Sequence, residues 1–325
     1  MKKSKQLEVN ISQIDFNDRS YLVTFESSIS QLILSIKQVG LIQPPILEQK
    51  SSNKYRIVAG LKRILALQHL KIDNFNAIIY FPQSETPDIE LFLLSLYENL
   101  GTRSFNNVEK ALVLDNLINL FKLSEEQVLN EFLPLLQLGK NKLVLDRYLK
   151  LVPLEDNIKI AVAEDFVSID IAGALVEISS IERQAIFEFF QHLKLGKNRQ
   201  KEFLRLLREI SKINDRSIDN ILKRDEIQDI LSNVKITLPG KIEHIKIILK
   251  RLRYPLYSAV EKKFQILKKD LGLPTNVILR PPPFFEGEKY SIEINFKNQS
   301  ELTGIVEILT SIIANNKLEK LQTLV

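Results

Sequence analysis

The stretch YRIVAGLKRILALQHL, residues 55–70, decides the fold of the first third of the chain. The β-branched pair Ile57 and Val58 predicts a short strand over 55–59. From there the apolar residues Leu61, Ile64, Leu65 and Leu67 follow helical spacing. Gly60 stands at the junction, so Lys62 and Arg63 fall in the first turn of the helix. The macrodipole is positive there, and an exposed cation costs roughly 0.3–1 kcal/mol. The stretch is not a P-loop. An anion docked on the free N–H groups and the two side chains would offset that cost. A plain turn with both cations in water is the other reading.

Working outward, QLILSIKQVG (31–40) predicts an amphipathic helix ended by Gly40. PPILEQ (44–49) and YRIVA predict a strand pair across the turn KSSNK, and FNAIIYF (75–81) a further strand. From residue 87 to about 235 the pattern is helical, with breaks expected at Gly101, Pro134, Gly139, Pro153, Gly173 and Gly196. Two helices follow Pro239-Gly240. Then come the strands NVILR and KYSIEINF, joined by PPPFFEGE, and a last helix through ELTGIVEILTSII. Phe284 and Phe285 in the joining segment read as a core plug, or else as an exposed partner site.

The fold class expected is α+β: a small N-terminal domain (1–115), an all-helical middle (116–235) and an α-β-β-α terminal domain (236–325). Composition narrows the chemistry. The absence of cysteine excludes disulfides and thiolate zinc sites. His69, His192 and His244 are far apart, which argues against a histidine metal site. No run is long and apolar enough to span a bilayer, and the basic start MKKSK lacks a following apolar region, so a cytoplasmic protein is expected. Net charge is only +5, yet 241–269 holds nine Lys or Arg against Glu243 and Glu261. That imbalance suits a polyanion, and also an ordinary solvated face.

Three motifs stand in order over about 75 residues: Gly40-Leu41-Ile42-Gln43-Pro44, Gly60-Leu61-Lys62-Arg63 through Ala66, and Glu98-Asn99 followed by Glu109 and Ala111. Together they resemble the N-terminal domain of the ParB family, which shares its fold with sulfiredoxin. These partition proteins bind CTP and clamp on DNA. The resemblance implies that Gly40, Gln43 and Pro44 frame the base and ribose. It implies that Gly60, Lys62 and Arg63 hold phosphates, and that Glu98 and Asn99 place Mg²⁺ or the attacking water as catalytic residues, with Glu98 the metal ligand. Arg103 would stabilise charge. Leu61 stands where the family has Glu, Lys62 where it has Arg, and Gly101-Thr102 where it has Gln and Arg. Those departures weigh on hydrolysis more than on binding, so CTPase activity is expected to be slow or absent.

The segment 123–154 is similar to the family's helix-turn-helix, with Leu123 to Glu126 opening one helix and Gly139 to Lys142 turning into the recognition helix. The linker is longer than the family's and includes Pro134. Leu143, Val144 and Leu145 occupy positions where polar base-reading residues are expected. Lys140, Lys142, Arg147 and Lys150 suit phosphates only. Lys201, Arg205, Arg208 and Lys212 form one basic stripe opposite Phe203, Leu207 and Ile210, and Lys246, Lys250 and Arg253 form another. The terminal element order resembles the family's dimerisation domain. The resemblance therefore implies a nucleoid-associated, CTP-gated DNA clamp, a homodimer with a possible partner ATPase. Two alternatives remain: an interaction adaptor that has lost sequence-specific DNA binding, and an enzyme of nuclease or kinase type. Sulfiredoxin chemistry is excluded by the missing cysteine.

Overall fold

The computed structural model describes residues 4–25, 29–51, 53–81, 87–287, 289–316 and 318–319. The chain divides into two compact units, Met1–Arg183 and Gln184–Val325.

In the first unit a five-stranded sheet is built from β1 (Ser4–Asn10), β2 (Ile14–Asp15), β3 (Ile46–Ser51), β4 (Lys54–Ala59) and β5 (Asn74–Tyr80), in the order β1-β5-β3-β4-β2. β3 pairs antiparallel with β4 and parallel with β5, while β1 lies antiparallel to β5 and β2 parallel to β4. The strands expected near 44–49, 55–59 and 75–81 are present. β1 and β2 were not anticipated. Ser52, in the expected turn KSSNK, lies outside the described residues.

Helices α1 (Ser30–Val39) and α2 (Leu61–His69) supply Ile36, Ile64 and Leu67 to a core completed by Val9, Leu47, Ile57, Ala77 and Ile79 from the strands. Gly40 ends α1 at φ 77°, its N–H bonded to Ile36 O at 2.9 Å. Helices α3 (Ile89–Leu100) and α4 (Asn107–Asp115) follow.

A second, charged cluster lies in the sheet. Glu48 and Arg56 are cross-strand partners, both buried. Arg56 Nη1 donates to Glu48 Oε2 at 3.0 Å and its Nε to Asp18 Oδ2 at 2.6 Å. The Tyr21 hydroxyl donates to Glu48 Oε2 at 2.9 Å and accepts from the Asp88 N–H at 2.6 Å. Lys50 closes the group onto Asp15 and Asp18. Mutual satisfaction makes burial of these charges tolerable.

Residues 116–183 belong with the first unit and 184–235 with the second. The helix Lys142–Leu149 packs on α4, with the Tyr148 hydroxyl bonded to Asn107 Oδ1 at 3.0 Å. Neither Pro134 nor Gly173 breaks a helix as expected. Pro134 lies inside a continuous helical run over 125–135. The preceding Val128–Phe132 is π-helical and absorbs extra residues. Gly173 lies inside the helix Ile169–Val176.

In the second unit the helix Lys197–Asn214 buries Phe203, Leu207 and Ile210, as its periodicity predicts, and packs on Leu238–Arg253. The helix Pro255–Asp270, the hairpin β6 (Val277–Arg280) and β7 (Ser291–Ile294), and the helix Gln299–Ala314 give the expected α-β-β-α order. Phe264, Leu271, Leu279, Phe285 and Ile312 form its small core. The two phenylalanines divide the expected roles: Phe285 is 7% exposed and Phe284 78%. Both have left-handed backbones, φ 59° and 56°, a conformation costing roughly 1–2 kcal/mol per non-glycine residue.

The Asp18 cluster yields a pH prediction. Burial alone would raise its pKa, but hydrogen bonds from Lys50, Ser20 and Arg56 hold the carboxyl well below the usual carboxylate range. A carboxyl depressed on folding stabilises above its unfolded value, near about 4, and that contribution fades as the pH falls below it. Asp18→Asn should therefore lower the melting temperature at neutral pH, and the gap to the parent should shrink steadily in melts taken from about pH 4 down to pH 2. A gap independent of pH would show that the carboxylate charge is not the stabilising feature.

Candidate functional site

Gly60 caps α2 in the left-handed region, φ 92° and ψ 23°, where a side chain is strained. A Cβ there would also meet Pro45 Cα and Arg63 Nε at 3.1 Å. The glycine thus lets the start of α2 sit against the Gln43-Pro44-Pro45 segment.

Arg63 joins the three motifs. Its Nη1 donates to the carbonyl oxygens of Gln43 at 3.1 Å and Pro44 at 3.2 Å, and its Nη2 to Glu98 Oε1 at 2.6 Å. The side chain is only 16% exposed. The planar fork reaches acceptors on two other segments at once, which an ammonium on a flexible stem would not do as well. The unfavourable dipole position of Arg63 is offset by the protein's own oxygens.

Lys62 differs. Among the described residues it has no hydrogen-bond or ion-pair partner. Burial, and next the Arg103 guanidinium, push its ammonium below the ordinary lysine value, while Glu109 works against the shift. The neighbouring Arg103 is fully engaged. Its Nε donates to Asn99 Oδ1 at 3.2 Å, its Nη1 to Glu109 Oε2 at 2.7 Å and its Nη2 to Thr24 Oγ1 at 3.1 Å. Glu109, 1% exposed, also accepts from the N–H groups of Phe25 and Asn106. Asn99 in turn donates to Ser95 O at 2.9 Å.

The structure thus brings Gln43, Pro44, Gly60, Arg63 and Glu98 into direct contact or bonded succession. It also gathers Asn99, Arg103 and Glu109, with the charge of Lys62 felt alongside. Gly40 serves as the C-cap of α1. Thr24 joins without any signal in the sequence, whereas Glu109 is marked by the Asn106-x-x-Glu109 capping box.

Residues 1–100 match the model of the ParB N-terminal domain. That match covers the N-terminal third of the chain, which is similar to the ParB N-terminal domain. It is 28% identical over 218 residues to the nucleoid occlusion protein of Bacillus thuringiensis (strain Al Hakam), covering 67% of this chain and 71% of that one. Solved structures of the C-terminally truncated chromosome-partitioning protein ParB from Caulobacter crescentus are also similar. The one complexed to the centromeric parS site is 16% identical, covering 61% of this chain and 98% of that chain at a TM-score of 0.32. The one complexed with CTP-gamma-S is 20% identical, covering 54% and 93% at a TM-score of 0.25. At those scores the superpositions carry no residue correspondences.

In the helical segment 123–154, Ser124 caps its helix through a box with Gln127, and Asn141 caps Lys142–Leu149. Of the candidate phosphate contacts there, Lys142 is bonded to Glu125 Oε1 at 2.6 Å and Arg147 pairs with Asp170 at 3.3 Å. Lys150 lies 3.3 Å from Glu177, and Lys140 is exposed. Leu143 is 75% exposed on the same helix. On Lys197–Asn214 the side chains of Lys201, Arg205 and Lys212 face solvent, Arg205 within 3.9 Å of Glu209, and Arg208 is half-buried. Lys246 and Arg253 of the second stripe pair with Glu202 and Glu209.

The contrast between the two neighbouring cations is testable by thermal melts of single variants. Arg63→Ala should destabilise by about 1–3 kcal/mol, because the Glu98 carboxylate and two carbonyls lose a charged donor. Lys62→Ala should leave the melting temperature unchanged or raise it, since a half-buried charge without a hydrogen-bond or ion-pair partner among the described residues is removed. Equal losses from both would contradict the geometry.

Proposed function

We propose that this chain is a ParB-like, DNA-associated protein of a partition or segregation system, gated by a nucleoside triphosphate bound with Mg²⁺ in its first unit. CTP is the nucleotide the motif resemblance implies. The observation that supports the site is Lys62, a half-buried ammonium with no hydrogen-bond or ion-pair partner among the described residues, on a glycine-capped helix start with Arg103 adding positive potential. An anion would relieve both.

Gly60, Lys62 and the first N–H groups of α2 take the phosphates, and the Gly40 to Pro44 segment lies toward base and ribose. The residues fit a magnesium ion only in part. Among the described residues no cluster of three metal-binding side chains exists, and Glu98 is the carboxylate available. Mg²⁺ commonly takes one or two carboxylates and completes its shell with phosphate oxygens and water, so Glu98 with Asn99 suits an ion that arrives with a triphosphate. When bound, the metal neutralises phosphate charge. Glu98 would then be shared between the ion and Arg63, which would let Arg63 turn toward the phosphates. Hydrolysis, if any, is slow, because Gly101 and Thr102 add no further acid or cation.

DNA association is supported by the relatives' description as nucleoid occlusion proteins. Dimerisation through the α-β-β-α domain and a partner ATPase belong to the same proposal. The adaptor reading is favoured by one observation: the candidate recognition helix presents Leu143 outward and spends Lys142 and Arg147 on ion pairs.

Titration calorimetry with CTP and Mg²⁺ tests the site. Lys62→Ala should weaken binding by about tenfold or more, the worth of one charge-assisted hydrogen bond. Unchanged affinity in that variant would remove Lys62 from the site. DNA binding is tested by salt titration on a duplex. Lys201 and Lys212 replaced by Gln should flatten the slope of log K against log[salt] by about 1.8, at about 0.9 per phosphate contact, without altering preference between sequences. An unchanged slope would leave the stripe a solvated face and favour the adaptor.

A further inference from the structure

Within the second unit, a cavity of about 540 Å³ opens where the helices Leu238–Arg253 and Pro255–Asp270 meet. Three aromatic rings line it: Tyr254 at the joint, Tyr257 one turn on, and Phe284 from the segment before β7. All three are exposed, at 42%, 38% and 78%. A single exposed ring is ordinary, but three around one cavity mark a binding surface.

Phe284 is held outward at a conformational cost, since it and Phe285 both adopt positive φ. The Phe285 N–H donates to Pro282 O and the Glu286 N–H to Pro283 O, each at 3.0 Å, which ties the turn. Phe285 anchors it in the core, edge-on to Tyr257 and Phe264 at 5.5 and 5.6 Å. Phe284 is thus fixed by backbone geometry and Tyr257 by a buried neighbour.

The cations choose the class of occupant. Between 241 and 269 nine Lys or Arg stand against two acids. Lys250 lines the cavity, and it is exposed, as are Lys262, Lys263 and Lys269. None of these four side chains has a hydrogen-bond or ion-pair partner among the described residues. Uncommitted lysines beside exposed rings suit a chain of phosphates whose bases can stack. The Arg253 guanidinium covers one face of Tyr254 at 4.4 Å, so only the other face can take a base.

Glu261 and Glu286 also line the cavity. Carboxylates repel phosphates, so they orient the occupant, with its backbone along the lysines and its base edges inward. A carboxylate accepts from an exocyclic amino group such as cytosine N4, and thymine has no such group. The bases of a duplex are already stacked and paired. Only an unpaired strand can offer both a ring face and a donor edge here.

We propose that this cavity binds single-stranded nucleic acid, with an amino-bearing base stacked among Tyr254, Tyr257 and Phe284 and the phosphates held by Lys250 and its neighbouring lysines. The site is separate from the nucleotide site of the first unit and from the duplex contacts on Lys197–Asn214, and it depends on neither.

The test is fluorescence anisotropy on the full chain with short labelled strands: oligocytidine as DNA and as RNA, oligothymidine, and an abasic strand carrying the same phosphates. The tighter of the two cytosine strands should bind better than thymine, and the abasic strand should bind worst. Phe284→Ala, at an exposed side chain, should weaken cytosine binding by about fivefold or more, the worth of one stacked base, and leave abasic binding unchanged. Phe284→Trp should keep the affinity. Glu261→Gln should narrow the gap between cytosine and thymine. Lys250→Gln should flatten the slope of log K against log[salt] by about 0.7, the single-strand value per phosphate. Equal binding of the abasic strand would reduce the surface to a polyanion patch and overturn the proposal. So would an unchanged cytosine affinity in Phe284→Ala.

Discussion

The N-terminal unit is organised around one guanidinium. Arg63 bonds simultaneously to the carbonyls of Gln43 and Pro44 and to the carboxylate of Glu98. Segments separated by 20 and 35 residues are thereby fixed against the start of α2. Everything else at the site depends on that closure: Gly60 must lack a Cβ for the segments to approach, and Glu98 must lie on the near face of α3. A cation in the first turn of a helix is ordinarily a liability. Here the liability is answered from within the protein for one residue and left open for its neighbour.

That asymmetry separates two functions that a sequence motif merges. A pair of adjacent cations suggests two equivalent phosphate ligands. Arg63, with its planar fork, ties the Gln43 and Pro44 carbonyls to the Glu98 carboxylate, whereas Lys62, a point charge on a flexible stem, has no hydrogen-bond or ion-pair partner among the described residues. Arg103 shows the same division. It is locked by Asn99, Glu109 and Thr24, so its charge acts on the site through space.

Much of this was legible in the sequence, for identifiable reasons. Strands β3, β4 and β5 and helices α1 and α2 announce themselves through β-branched runs, helical spacing and the glycines at 40 and 60. β1 was hidden because Ser4-Lys5-Gln6 is polar and its apolar alternation is only Leu7 and Val9, of which Leu7 is 41% exposed. β2, two residues long, has no periodicity to read. The charged cluster of Asp18, Glu48 and Arg56 was invisible for another reason: its members are distant in sequence, and polar residues in a strand ordinarily imply a solvent face. At the site, residue types and order were readable, but the ion pairing of Arg63 with Glu98 is tertiary and no local pattern encodes it. Pro134 and Gly173 misled because helix breakers were taken at face value, whereas a π-helical turn precedes Pro134 and an interior glycine costs a helix only about 1 kcal/mol.

The pairing of β1 with β5 bears on how the chain is made. Ser4 lies opposite Tyr80 and Asn10 opposite Asn74. β1 leaves the ribosome before β5 and therefore has no partner in the sheet until that strand has emerged. At about 5–20 residues per second, the interval is several seconds. During that time β3 and β4, adjacent in sequence, are free to pair locally, while β1 waits without its partner. Its polar opening residues suit that wait, since a strand that must remain single for seconds is safest when it offers other chains little to stick to.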